Sequence, residues 1–288
     1  MTPQKEEPFM RVEETYCIID EILKVILPKS KVGRKSKLKQ SAVIAIMVEG
    51  QRSGYTSDKQ LYHLTKYGEL RGYFSIPSYA QFNRSIRACR KYFDYVLEQL
   101  IKVHAGVREL YIIDSTALPI NQFNGKPTKW GSGNAQIAKN MHGWYQGYKL
   151  HIITNDRLEI ASVLVTPANF SDVKALENQR FIKSIHGTLI GDKGYIATEP
   201  VRLNLLASGI RLIAKQRDNM DPYLNKYYGK LLTKRRRIER VFAYLKRSLT
   251  AIRRFARTPE SFIAHALAAV IAYIMRFTVE DRLTSILG

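Results

Sequence analysis

Over the first hundred positions, apolar residues recur at helical intervals. From Arg11 to Leu27, Val12, Cys17, Ile19, Ile22, Leu23 and Ile26 fall at mostly 3.6-residue spacing, and Pro28 stops the run. Leu38 to Val48 predicts a second apolar helix, followed by a glycine-flanked break from Gln51 to Tyr55. Ser57 or Asp58 would cap a short helix to Tyr67, and Ser78 a longer one to about Val103. On the last of these, Arg84, Arg87, Arg90 and Lys91 project from a body anchored by Phe82, Ile86, Phe93, Val96 and Leu97.

From Glu109 the period changes. Leu110 to Ile113 reads as a strand ending at Asp114, and after a long loop Lys149 to Thr154 is a second. The turn Asn155-Asp156-Arg157 leads into a third, Ile160 to Val165, and a hairpin that tight makes these two antiparallel. Val173 to Ser184 looks helical, Thr188 to Gly191 is a strand ending at Asp192, Tyr195 to Ser208 a helix, and Ile210 to Lys215 a fifth strand. A loop through Asp218 to Pro222 then leads into a helix carrying Glu239. A three-strand meander followed by β-α-β-α predicts an α/β, ribonuclease-H-like mixed five-stranded sheet flanked by helices. A doubly wound nucleotide-binding sheet would not start with a hairpin, and no G-x-G-x-x-G is present. The expected division is 1–105, an N-terminal all-helical domain, and 106–288, the α/β domain.

Charge narrows the partners. Lys and Arg number 46 against 25 Asp and Glu, for a net charge of +21. Such a field attracts polyanions, so the basic helices of residues 1–105 are expected to form a helix-turn-helix-like DNA-binding domain, with Arg84 and Arg87 as contacts. Two cysteines, Cys17 and Cys89, cannot build a disulfide framework or a zinc site; they fit a reducing compartment and read as buried small hydrophobes. Residues 1–7 carry no signal-peptide core, and the apolar run Ile263 to Met275 is too short to span a bilayer. The expectation is a cytoplasmic, nucleoid-associated protein with no membrane and no small-molecule substrate. The apolar stripe Phe262 to Phe277 is expected in the core.

Three acids stand out. Asp114 and Asp192 each end an apolar strand; on parallel central strands their carboxylates would emerge at one sheet edge, where a divalent cation offsets their repulsion. Taken singly, each also fits a turn cap. Glu239 is the one acid between Lys226 and Arg257. Ile238, Val241, Phe242, Leu245, Leu249 and Ile252 form an apolar stripe, and Glu239 projects roughly 100° from its centre, at the margin of the buried face. Arg235 and Lys246 fall on the same margin.

Asp114-Ser115-Thr116, Gly191-Asp192-Lys193-Gly194-Tyr195 and Arg235-x3-Glu239-x6-Lys246 resemble, as a set, the three catalytic blocks of the DDE transposases of bacterial insertion sequences. Lys149-x-His151 and Thr166-Pro167-x-Asn169-x-x-Asp172 resemble two further blocks, and the likeness runs from about Glu109 to Phe277. The short Asp192 to Glu239 interval leaves no room for the large β-rich insertion of some relatives, which makes this a compact type. The resemblance implies that water cuts the element end, freeing a 3′-hydroxyl that then attacks target DNA. Asp114, Asp192 and Glu239 would be the catalytic residues and the metal ligands. Oxygen ligands alone suit two Mg²⁺ or Mn²⁺ ions, with Asp114 bridging. Arg235 and Lys246 would touch the backbone near the scissile phosphate, and Arg236 and Arg240 would add general phosphate affinity. Trp130, in a basic glycine-rich loop, and Trp144 would stack on an unpaired base if they do not simply fill the core. Double-stranded DNA and a DNA-dependent homodimer are the expected partners. The competing readings are a ribonuclease-H-like endonuclease without strand transfer, which would use the same residues, and a DNA-binding regulator whose acids are structural.

Overall fold

The computed structural model describes residues 12–27, 37–55, 57–122, 134–221, 223–247, 249 and 258–276. They group into two compact units. One takes the chain up to Leu100 and again from Glu260; the other takes Ile101–Lys246.

The first unit is helical: α1 (Val12–Lys24), α2 (Gln40–Arg52), α3 (Asp58–Lys66) and most of α4 (Tyr79–His104), joined by the helix Pro259–Met275. α1 buries Val12, Thr15, Ile18, Ile19 and Leu23, a stripe at three- and four-residue steps. Cys17 falls off that stripe and is exposed, unlike the expectation, whereas Cys89 is buried. Ser57 starts α3 with a reciprocal capping box: its hydroxyl accepts from the Gln60 amide, and the Gln60 side chain accepts from the Ser57 amide. Pro259–Met275 buries Phe262 and every residue from Ala264 to Met275, so it is a core helix rather than an amphipathic one. The division expected from sequence gave this helix to the α/β domain. From Glu260 onward it belongs with the first unit, where Ser261 and His265 hydrogen-bond Asp58 of α3, a contact across 203 and 207 positions of sequence. No local pattern announces such a contact.

The second unit is built on a sheet of β1 (Leu110–Gln122), β2 (Gln136–Asn140), β3 (Gly143–Asn155), β4 (Ile160–Pro167), β5 (Gly187–Gly191) and β6 (Ile210–Ala214). β3 runs antiparallel to β1 on one side; on the other side its first half pairs with β2 and its second half with β4. β5 lies parallel to β1, and β6 parallel to β5. Leaving β2 aside, the order β4-β3-β1-β5-β6 is the ribonuclease-H-like order expected from the meander and the two following strands. β2 is the sixth strand; its short, mostly exposed run gave no alternation strong enough to predict it. In the β3–β4 turn, Asn155 Oδ1 accepts from the amides of Arg157 and Glu159, fixing the hairpin at the tripeptide expected to turn.

One face of this sheet packs Tyr111, Ile113, Ile153 and Leu189 against Leu176, Phe181 and Ile182 and against Leu205 of α6 (Glu199–Ala207). The segment expected as one helix over 173–184 is a 3-10 turn, Val173–Glu177, followed by α5 (Gln179–Ile182), for which Asn178 supplies a side-chain cap. After β6 come α7 (Tyr223–Tyr227), α8 (Gly229–Thr233), a 3-10 turn over Lys234–Arg237 and α9 (Ile238–Arg247). α9 buries Ile238, Val241, Phe242 and Leu245, the first four positions of the stripe read from sequence; Leu249 is buried beyond the helix end, and Ile252 lies outside the described residues. No described helix is long and apolar enough to cross a membrane.

Candidate active site

The register of the parallel pair positions the two aspartates. Leu110 pairs with Thr188 and Ile112 with Ile190; continued two residues further, the same register sets Asp114 beside Asp192. β5 ends at Gly191, so Asp192 is free to cap the next turn, and its side chain accepts from the Gly194 amide at 2.8 Å. β1 differs from expectation. It does not end at Asp114 but continues to Gln122, held there by β3 alone. Asp114 therefore stands on paired backbone where β1 and β5 part, a rigid mount for its side chain.

Two glycines in Gly191-Asp192-Lys193-Gly194-Tyr195 are required by close approach. A Cβ on Gly191 would lie 2.8 Å from Tyr195 Cβ, because the buried tyrosine packs directly on that backbone. A Cβ on Gly194 would lie 3.0 Å from Asp192 Oδ1 and 3.1 Å from Asp172 Oδ2. The block thus brings a third carboxylate, Asp172, up to the same turn.

The electrostatics reflect this crowding. Burial is the main reason the Asp114 carboxyl is pushed up to about 6; Asp192 and Asp172 add to the rise, while the Ser115 amide and Arg235 oppose it. Burial, and then the charges of Asp172, Asp114 and Asp192, push the Tyr195 hydroxyl well above the ordinary tyrosine range. Loss of water lowers Lys246, with Asp114 pulling it back up. A partly buried carboxylate with acidic neighbours gains from a nearby cation, a part Arg235 plays here.

Glu239 sits in the first turn of α9, where the helix dipole favours an acid, and its side chain is 62% exposed. It meets Asp114 through a cation: Arg235 donates to Asp114 Oδ2 at 3.0 Å and lies 3.7 Å from Glu239 Oε1. Among the described residues, no three acids, histidines or cysteines already stand together as a metal cage. The donor set still fits a hard divalent cation. It is all oxygen, its two aspartates are aligned, and the carboxyl of its buried member is raised, first by burial and then by its acidic neighbours.

Of the other residues singled out from sequence, Arg236 and Arg240 are exposed around the start of α9, and Arg84 and Arg87 are exposed on α4 of the first unit. Trp130 lies outside the described residues. Trp144, half exposed on β3, has Lys139 Nζ 5.9 Å from its ring centre rather than a core around it. The residue to which no role was given is Asp172. The Thr166-Pro167-x-Asn169-x-x-Asp172 block was its only signal in the sequence, and that block resembles part of a family without saying what the acid does.

The profile of a family described as "Transposase DDE domain" matches residues 104–255, more than half of the chain. The chain belongs to that family. No curated protein matches the sequence. Among solved structures, a "Mos1 transposase paired-end complex with left transposon end" is 11% identical over 80% of this chain and 84% of that one, with a TM-score of 0.24. The "Crystal structure of the Mos1 mariner paired end complex with Mn" is 10% identical over 85% and 94%, with a TM-score of 0.21. Likeness at that level adds nothing to the fold, which rests on the strand order above.

Proposed function

We propose that this chain cuts the ends of a mobile DNA element and joins the freed 3′-hydroxyl to target DNA, with Asp114, Asp192 and Glu239 as its catalytic acids. The observation that supports this most is the alignment of Asp114 with Asp192 beyond the parallel pairing, with the Asp114 carboxyl pushed up mainly by its burial. These acids would hold Mg²⁺ or Mn²⁺, two ions in this reading. Bound there, the ions would activate the attacking oxygen and stabilise the leaving one. The protein's own part is positional. β1 and β5 fix the two aspartates, Gly194 lets the Asp192 turn close, and Tyr195 packs beneath it. Arg235 balances Asp114 and Glu239 until a DNA phosphate takes its guanidinium, and Lys246, Arg236 and Arg240 hold the backbone near the cut. Arg84 and Arg87 would grip element ends, and Trp130 and Trp144 are kept as base-stacking candidates. In the first step a water oxygen attacks phosphorus and the bond to O3′ breaks. In the second that 3′-hydroxyl attacks a target phosphodiester and displaces the target's own 3′-oxygen. Two ends must be held together for this, which calls for a DNA-dependent dimer acting in the cytoplasm, on the nucleoid.

The test is a strand-resolved assay with Mn²⁺, an element-end duplex and a plasmid target. The wild-type protein should give a nicked end and a joined product. Asp114→Ala, Asp192→Ala and Glu239→Ala proteins that still bind the duplex should give neither; wild-type cutting by any one of them removes that residue from the site. Cutting without joining would make the protein an endonuclease, and binding without cutting a regulator.

A further inference from the structure

Asp172 is the most connected acid of the second unit. Its Oδ1 accepts from Ser115 Oγ at 2.9 Å and from Lys149 Nζ at 3.0 Å, and His151 Nδ1 lies 3.8 Å away. Lys149 is itself fixed, donating to the Phe170 carbonyl at 2.8 Å. The β1–β3 register sets Ser115 opposite His151 and Ala117 opposite Lys149, so Ser115, His151 and Lys149 share one face of the sheet. Ser115 works in two directions. Its side chain is held by Asp172, and its amide donates to Asp114 Oδ1 at 2.8 Å.

A third carboxylate beside two others would be an electrostatic burden unless neutralised. His151 does not neutralise it, because burial holds its ring down to about 4 and therefore uncharged at neutral pH. Lys149 does, at hydrogen-bond distance and with its side chain only 17% exposed. The Lys149–Asp172 pair thus adds an acceptor for Ser115 without adding net charge. A serine hydroxyl bonded to a charged acceptor is held in one rotamer, and Ser115 thereby links Asp172 to Asp114 through a single residue.

We propose that Asp172, clamped by Lys149, is a positioning residue of the catalytic centre: through Ser115 it sets the direction in which Asp114 presents its carboxylate to a divalent cation. The inference rests on the metal-site reading above. Partners that orient a ligand in this way typically carry about 10–100-fold in metal affinity.

Mn²⁺ titration of the full chain without DNA, followed by the paramagnetic signal of free Mn²⁺, separates the two ideas, with thermal melts run alongside. Ser115→Ala and Asp172→Ala should each weaken Mn²⁺ binding by about 10-fold or more. Asp172→Asn should weaken it as well, because the Lys149 charge is then left without its partner in the network that holds Ser115. The double variant Asp172→Asn with Lys149→Met restores neutrality and keeps an acceptor for Ser115, so it should recover most of the lost affinity. A merely structural role predicts the reverse, with lower melting temperatures, unchanged Mn²⁺ affinity of the folded protein and no recovery in the double variant. That result, with Asp114→Ala abolishing Mn²⁺ binding, overturns the positioning role and leaves the metal site standing. If Asp114→Ala binds Mn²⁺ like the wild type, the metal site fails and this proposal with it. Should the Asp172 variants not fold, Ser115→Ala decides alone, since it removes a single hydroxyl.

Discussion

Each unit carries a polar cluster partly withdrawn from water, and the two are completed differently. In the first unit, Asp58 accepts from Ser261 with both oxygens, at 3.2 and 3.1 Å, and pairs with His265 Nε2 at 2.6 Å. Gln51 meets the other ring nitrogen of His265 at 3.3 Å. One acid has a full set of partners, and the cluster ties α3 to the helix Pro259–Met275. In the second unit, Asp114, Asp172 and Asp192 converge with Glu239 nearby, while Arg235 and Lys149 are the cations hydrogen-bonded to them among the described residues. Asp114 pays in a raised carboxyl. A buried polar cluster with complete partners is a fastening; one left short of positive charge is a place for something to bind.

The largest contrast should appear on removing one acid from each cluster. Asp114→Asn should cut DNA cleavage on the order of a thousandfold, the equivalent of several kcal/mol of transition-state stabilisation, without lowering the melting temperature of the metal-free protein. Asp58→Asn should do the opposite, costing about 2 kcal/mol of stability and leaving Mn²⁺ affinity of the folded protein unchanged. If Asp58→Asn weakened Mn²⁺ binding, or Asp114→Asn melted early, the distinction between fastening and site would collapse.

The pH dependence of stability sharpens the same contrast inside the second unit. The Asp114 carboxyl rises from 3.8 to about 6 on folding, so the folded state binds its proton more tightly and this group favours folding increasingly as pH falls through that window. His151 falls from 6.5 to about 4, so the unfolded state takes its proton first and stability is lost as pH drops from 6.5 toward 4. The two act with opposite sign across overlapping pH windows, so in the wild type each opposes the other. In Asp114→Asn the histidine acts unopposed, and melting temperature should fall more steeply below pH 6.5 than in the wild type. Parallel curves would show that these two groups do not govern the acid limb.

Smaller effects follow from packing and caps. Gly191→Ala forces a Cβ into the Tyr195 side chain and should cost about 1–3 kcal/mol, with cleavage falling as the Asp192 turn shifts. An unperturbed melt would mean that the tyrosine yields freely. Ser57→Ala removes half of a capping box and should cost about 1 kcal/mol while leaving cleavage by the folded protein as it was. A loss of activity beyond that of folded protein would give α3 a part in the chemistry that its cluster does not suggest.

The sequence by itself determined most of the local elements and singled out the candidate acids. Alternation placed Asp114 and Asp192 against apolar strands, the helical stripe of α9 put Glu239 at its margin, and the capping signature located α3. These are properties of neighbours a few positions apart, where periodicity and side-chain chemistry act directly. Tertiary structure decided what those elements do to one another. It set Asp114 in register with Asp192 and carried β1 past the acid on the support of β3. It also slipped a sixth strand into the long connection, and gave Pro259–Met275 to the first unit from Glu260 onward. It brought Asp172 across 57 residues to Ser115 and across 23 to Lys149. In a single chain such pairings leave no periodic trace, because each is fixed by sheet register and by a few polar contacts between distant segments. The candidate acids were therefore legible before the fold was seen, whereas the network around them was not.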